Sequence, residues 1–113
     1  MGVSVRVLDS TGGRPVRDLA VALYGRERGD WARVAGACTD SDGRIGSFGP
    51  HPLPRGVYRL VFATGDYFRD QGAEALYPEI IVSVRYPGVS DLHIPLFLSP
   101  FSYSTHRGSP EDD

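Results

Sequence analysis

The 113-residue sequence contains no lysine, a single cysteine and no long apolar run. All twelve basic residues are arginines, which excludes mechanisms that use a lysine nucleophile or a lysine Schiff base. Cys38 has no partner for an intrachain disulfide, and its small-residue, strand-like surroundings predict a buried structural thiol. No segment approaches the roughly 18 apolar residues of a membrane span, and no apolar signal-like region opens the sequence. We therefore expect a cytoplasmic protein without a membrane partner.

Charge is nearly balanced, with 12 basic against 14 acidic residues and a formal net charge of −2. This balance does not indicate a surface for nucleic acid or for an anionic membrane. The spacing of histidine, cysteine and carboxylate residues matches no metal-site pattern. Neither a glycine-rich phosphate loop nor a nucleophile elbow occurs. The sequence therefore predicts a protein without nucleic-acid partners and without a metal or other cofactor.

Short apolar segments alternate with polar residues and are separated by turn-forming residues, which is typical of β-strands. Segment 65–75 has helical spacing, with Asp66 placed to cap it, whereas the Pro/Gly-rich segment 46–55 predicts a connection. The length suits one domain, residues 1–113, with a flexible tail at 109–113. We expect an all-β, two-sheet sandwich of seven to eight strands with one short helix. The clearest strands are 2–9, 17–24, 31–39, 57–63, 79–85, 91–98 and 101–107.

The C-terminal segment 92–109 reads LHIPLFLSPFSYSTHRGS, in which two apolar runs flank a Ser-Pro turn. Further landmarks are VLD at 7–9, TDSDGR at 39–44, TGDYF at 64–68 and YP at 77–78. In this order, over nearly the whole chain, they resemble the transthyretin-like family, whose enzyme members are 5-hydroxyisourate hydrolases. The resemblance implies a transthyretin-like sandwich that assembles into a homotetramer. It also implies small-molecule sites at the mouths of a central channel.

The hydrolase site of this family comprises two histidines, an arginine and the end of the chain. The resemblance places Arg44 at the arginine, as the anchor of the substrate, and His93 at the second histidine, as the general acid and base. Ser109 matches the terminal serine, with Arg107 and Gly108 before it, and these tail positions are expected to contact the substrate.

Two positions depart from the hydrolase pattern, and the chain continues for four residues beyond Ser109. Arg6 stands where the hydrolases have their first histidine, and His106 stands where they have a tyrosine. A guanidinium has no acceptor and cannot act as a base near neutral pH. His106 is a candidate replacement base, and Arg6 is a candidate substrate contact that changes specificity. Transthyretin, the hormone carrier of the family, has a lysine at the position of Arg6.

Opening a cyclic amide requires an activated water, a stabilised oxyanion and a protonated leaving nitrogen. An imidazole suits the first and third tasks, and a forked guanidinium suits the second. The leading prediction is therefore metal-free hydrolysis of a purine-derived, carbonyl-rich ring, as in urate degradation. The alternatives are a repurposed enzyme that acts on a related ring in a biosynthetic pathway, and a transthyretin-like binding protein without turnover.

Overall fold

The protein is described by a computed structural model of residues 2–50 and 52–109. Within these residues it has two β-sheets and a short helix. The first sheet has the order β2-β1-β8-β9, with β5 also pairing with β1, and the second has the order β4-β3-β6-β7. The element bounds are β1 Val3–Asp9, β2 Arg14–Pro15, β3 Ala20–Glu27, β4 Asp30–Cys38, β5 Arg44–Phe48, β6 Gly56–Phe62, α1 Thr64–Asp70, β7 Ile80–Tyr86, β8 Leu92–Ser99 and β9 Ser102–Thr105.

The core lies between the two sheets and is built largely from alternate residues of strands such as β1, β3 and β6. On β1 the three valines face inward, whereas the residues between them face outward. This alternation follows from the two-residue repeat of a strand, so one face is buried and the other remains available for a site. The largest fully buried side chains include Leu23, Leu60, Phe62, Ile80, Tyr86, Leu96 and Leu98.

Strands β1 and β8 run parallel at the centre of the first sheet. Their register places Ser4 beside His93 and Arg6 beside Pro95. Both β2 and β5 pair with β1, the former at Leu8 and Asp9 and the latter between Val3 and Arg6. The outward side chains at the start of β1, β5 and β8 are thereby brought together on one face of the sheet.

The predicted all-β sandwich with one helix is confirmed, and the differences are local. Sequence patterning missed β2 and placed most of β5 in the connection 46–55. β5 was missed because its pairing with β1 has a register shift between Val3 and Val5. As a result Ile45 and Phe48 are both in the core although they are three positions apart. That spacing hides the alternation by which a strand is recognised.

The helix is shorter than predicted, because it ends at Asp70 rather than near Ala75. Gly72 has a φ of +69° and reverses the chain, and Ala73 donates its N–H to the carbonyl of Phe68. The expectation that Asp66 caps the helix is wrong. Its carboxylate lies in the first turn and pairs with Arg69, while the N-cap position makes no side-chain hydrogen bond.

The prediction of a buried Cys38 is also wrong, because this thiol is exposed. Cys38 ends β4, which is an edge strand, and its register partner Ala20 is exposed as well. Both residues belong to the outer face of the second sheet. Among the described residues, no helix is long and apolar enough to cross a membrane.

Candidate active site

His93 lies on the outward face of β8 yet is only 4% exposed. Its Nδ1 is 2.7 Å from Oγ of Ser4, the neighbouring residue on β1. The segment at Gly108 lies against His93, because the N–H of Gly108 donates to the His93 carbonyl over 2.9 Å. The imidazole is therefore held between a hydroxyl and the C-terminal segment, with Nε2 on the opposite side of the ring from Nδ1.

Gly108 permits a close approach that a larger residue would prevent. A Cβ at this position would lie 2.8 Å from Cδ of Pro95 and 3.3 Å from Cδ2 of His93. The proline ring is rigid, so the tail would have to move away. Ser109 follows directly and is half-buried. The structure thus brings the predicted tail residues Gly108 and Ser109 to His93, whereas residues 110–113, most of the predicted flexible tail, lie outside the described residues.

Arg44 leaves a tight turn in which Asp40 is the organising residue. The Asp40 carboxylate accepts hydrogen bonds of 2.9 Å from the backbone N–H groups of Asp42 and Arg44. The Asp40 N–H in turn donates to the Arg44 carbonyl over 2.9 Å. This is the aspartate turn chemistry expected from the sequence, and it fixes where β5 begins.

The pKa of Asp40 is lowered, chiefly by the hydrogen bond from the Arg44 N–H. A carboxyl whose pKa is lower in the folded state stabilises the fold above its unfolded pKa of about 3.9. That contribution is lost as the pH falls through the folded value. We expect Asp40→Asn to lower the free energy of unfolding at neutral pH, with the difference from wild type vanishing in strong acid. Urea titrations at several pH values measure this, and a difference independent of pH would contradict it.

Gly43 completes the turn in a conformation that other residues adopt at a cost. Its φ is +77°, and a Cβ would overlap the carbonyl oxygen of Val7. The Gly43 carbonyl also accepts the N–H of Val7 over 2.8 Å, which ties the turn to β1.

We expect Gly43→Ala to destabilise the protein by about 1–3 kcal/mol, because both the backbone conformation and the contact with Val7 become strained. Thermal unfolding measures this effect. Gly13→Ala is the matched control, since Gly13 also has a positive φ of 65° but a Cβ added there would have no atom within 4 Å. Equal losses in the two variants would show that the contact with Val7 contributes nothing.

One concavity, with a volume of about 440 Å³, joins the two central residues of the predicted site. Arg44 and His93 both line it, together with Ser4, Asp91 and the backbone of Gly46. Sequence reasoning missed Ser4 and Asp91. Ser4 carried a usable signal, because it is the polar residue two positions before Arg6 on an alternating strand. No sequence signal indicated Asp91, because its position depends on a contact between the two ends of the sequence. It precedes β8, and its Oδ1 accepts the backbone N–H of Gly2 over 2.9 Å.

Arg6 lies beside this concavity rather than among the residues that line it. Its Cα is directly opposite that of Arg44 across β1 and β5. Its Nε–H donates to the carbonyl of Asp42 over 3.2 Å, so the side chain is drawn towards the turn. A contact between Arg6 and the substrate stays a prediction.

His106 and Arg107 line a different depression, of about 300 Å³, next to β7. The imidazole of His106 stacks on Phe97, with ring centres 6.0 Å apart and planes inclined by 7°. Within one chain the structure therefore does not bring His106 into the concavity that holds His93. Its role as a second base stays a prediction. In residues 2–50 and 52–109, no group of three or more His, Cys, Asp and Glu side chains is arranged to hold a metal.

His93, Arg44 and the C-terminal segment lie together on the outer face of the first sheet. The concavity that His93 and Arg44 line has a size typical of small-molecule sites. Residues 3–108 match the model of the HIUase/Transthyretin family, and the chain belongs to that family. It is 36% identical over 110 residues to a probable 5-hydroxyisourate hydrolase of Caenorhabditis elegans, covering 95% of this chain and 81% of that protein.

Solved structures give the same result. The 5-hydroxyisourate hydrolase of Klebsiella pneumoniae has a TM-score of 0.84 and 32% identity, covering 95% of this chain and 92% of that one. Sea bream transthyretin, solved in complex with thyroxine, has a TM-score of 0.89 and 28% identity. The match covers 96% of this chain and 95% of that one. The family and fold expected from the sequence are thereby confirmed.

Proposed function

We propose that the protein is a 5-hydroxyisourate hydrolase that opens its substrate ring by attack of water on a cyclic amide. The observation that carries this proposal is the shared concavity of His93 and Arg44, with Ser4 against Nδ1 of the imidazole. Membership of a family with 5-hydroxyisourate hydrolases supports it. We place the activity in the cytoplasm and in purine breakdown as part of the same proposal.

His93 is the proposed proton carrier. In the tautomer with hydrogen on Nδ1, the ring donates to Ser4, and Nε2 carries the lone pair. Nε2 accepts a proton from water as the water oxygen bonds to the ring carbonyl carbon. The imidazolium then gives that proton to the ring nitrogen as the C–N bond breaks. The serine acts as a positioning residue, because its contact with Nδ1 fixes the orientation of the ring.

Arg44 is the proposed anchor for the carbonyl oxygen on which negative charge develops. Its guanidinium can donate two parallel hydrogen bonds, and the Asp40 turn holds the start of its strand in place. Ser109 is a proposed substrate contact from the tail, because Gly108 brings the tail to His93. Arg107 lines the separate depression within one chain, and its contact with the substrate stays a prediction. None of these steps requires a metal.

Arg6 favours a second candidate function. Its Cα lies directly opposite Arg44, so two cationic side chains start from neighbouring positions at the rim of the concavity. Such a pair favours a ligand with more negative charge than the usual substrate. A related enzyme of a biosynthetic pathway that acts on a carboxylated ring, or a binding protein for such a molecule, would use the same scaffold.

Assembly as a homotetramer belongs to the proposal. Strands β9 and β7 end the two sheets, and within the described residues each leaves one edge unpaired. Phe101, 64% exposed, precedes β9, and Tyr103, 39% exposed, lies on it. Unpaired edges with apolar neighbours favour pairing with another copy. Sedimentation equilibrium of the purified chain measures the assembly, and a monomer at micromolar concentration would contradict it.

The function is tested by following freshly generated 5-hydroxyisourate in the ultraviolet with wild type and Arg6→His. Turnover by wild type supports the hydrolase and shows that Arg6 is compatible with it. Turnover by Arg6→His but not by wild type would mean that the wild-type site acts on a different cyclic substrate. If neither protein turns over the substrate but urate still binds in calorimetry, the alternative of a binding protein without turnover is supported. In the same assay, unchanged turnover by His106→Ala would exclude His106 as a base.

A further inference from the structure

The outer face of the second sheet, opposite to the candidate active site, carries an arginine from each of its four strands. Alternation along each strand places these four side chains on the side away from the core. Three of them are exposed and one is half-buried. We call this surface the arginine face; its arginines are Arg26 on β3, Arg33 on β4, Arg59 on β6 and Arg85 on β7.

The strand register holds the four arginines on one surface without pairing any two of them directly. Tyr24 stands between Arg33 and Arg59, since it is the Cα partner of both. Arg26 is opposite Trp31, and Arg85 is opposite Val57. No two arginines are direct cross-strand partners, so the arrangement avoids the closest like-charge repulsion. The face is thus a cationic surface although the chain as a whole is slightly acidic.

The guanidinium groups of this face have no carboxylate partners within the described residues. Arg17 and Arg69 do form ion pairs, with Asp18 and Asp66, but they lie elsewhere. Nε of Arg59 is buried and has no hydrogen-bond partner among residues 2–50 and 52–109. A buried donor without a partner costs free energy, so the described residues leave the Arg59 guanidinium incompletely satisfied.

Trp31 sets the geometry of the face. The guanidinium of Arg59 lies 4.1 Å from the indole centre, and that of Arg26 lies 5.5 Å from it. Stacking on a ring restrains a guanidinium, and a restrained guanidinium can receive a carboxylate through two hydrogen bonds from its terminal N–H groups. Because two guanidiniums already lie over the indole, a nucleic-acid base is poorly placed to stack there.

We propose that the arginine face is a docking surface for a short acidic segment of a partner protein. Complementary charge and the restrained guanidiniums select carboxylates as the ligand groups. The ends of the face limit the length of the partner, because Glu27 and Asp30 close the hairpin at one end and Glu79 precedes β7 at the other. A longer polyanion such as nucleic acid would meet these carboxylates.

Trp31, the only tryptophan of the chain, is a built-in reporter of binding at this face. The experiment titrates the full chain with a hexaglutamate peptide and, separately, with a short oligothymidylate, and follows tryptophan fluorescence. The test variant is Arg26→Gln/Arg33→Gln. The matched control is Arg17→Gln/Arg69→Gln, which removes the same charge from other surfaces.

We expect saturable binding of the peptide that weakens between about 20 and about 300 mM NaCl, because exposed charges are screened by salt. The test variant should bind at least about fivefold more weakly, whereas the control pair should bind like wild type. No peptide binding, equal weakening in both variants, or tighter binding of the oligothymidylate would each overturn the proposal. Hydrolase turnover of the test variant should equal that of wild type, so the result is independent of the proposed activity.

Discussion

Replacing His93 with alanine should reduce kcat/KM for 5-hydroxyisourate by about a hundredfold to ten-thousandfold. The imidazole is the proposed proton carrier, and loss of general acid and base catalysis has effects of this size. It is only 4% exposed and has Ser4 at Nδ1, so the loss of the ring removes a group held in one place. Steady-state kinetics in the ultraviolet assay measure the loss.

Ser4→Ala is the matched control for this result. It removes the same 2.7 Å contact as His93→Ala but keeps the imidazole. We expect a smaller loss of kcat and a displaced pH–rate profile, because the ring loses its hydrogen-bond partner at Nδ1. If Ser4→Ala and His93→Ala lose activity equally with unchanged pH profiles, His93 has only a structural role.

Replacing Arg44 with alanine should reduce kcat by about a hundredfold to a thousandfold. A guanidinium that meets developing charge on the carbonyl oxygen acts in the transition state more than in the ground state, so kcat falls further than KM rises. Lysine at this position should restore only part of the activity, since it lacks the forked donors. Kinetics of Arg44→Ala and Arg44→Lys provide the comparison.

Arg17→Ala controls for the loss of a positive charge, because Arg17 is 72% exposed and pairs with Asp18 away from the site. Its activity should equal that of wild type. A rise in KM for Arg44→Ala without a change in kcat would assign Arg44 to substrate binding alone. Equal effects of Arg17→Ala and Arg44→Ala would remove Arg44 from the chemistry.

Most of the fold could be predicted from the sequence because its strands obey the two-residue repeat. On β1 the buried valines alternate with Ser4 and Arg6, and this alternation placed the outward face correctly. β5 was not predicted, because the register shift in its pairing with β1 puts Ile45 and Phe48 on the same side. A repeat is a property of regular strands, so local irregularities become visible only in the register between strands.

The site could be predicted only in part, for a different physical reason. Motif matching found His93 and Arg44, which the structure places around one concavity. It did not find Ser4, whose position against His93 depends on the parallel register of β1 and β8, two strands far apart in sequence. It also grouped His106 with this site, although within one chain His106 stacks on Phe97 beside a separate depression.

The central claim is that this chain hydrolyses 5-hydroxyisourate in the concavity of His93 and Arg44. The most direct measurement is the rate of ring opening in ¹⁸O-labelled water, followed by mass spectrometry with wild type, with His93→Ala and in buffer alone. We expect rapid formation by wild type of a ring-opened product that carries one labelled oxygen, with His93→Ala close to the buffer rate. A wild-type rate equal to the buffer rate would contradict it.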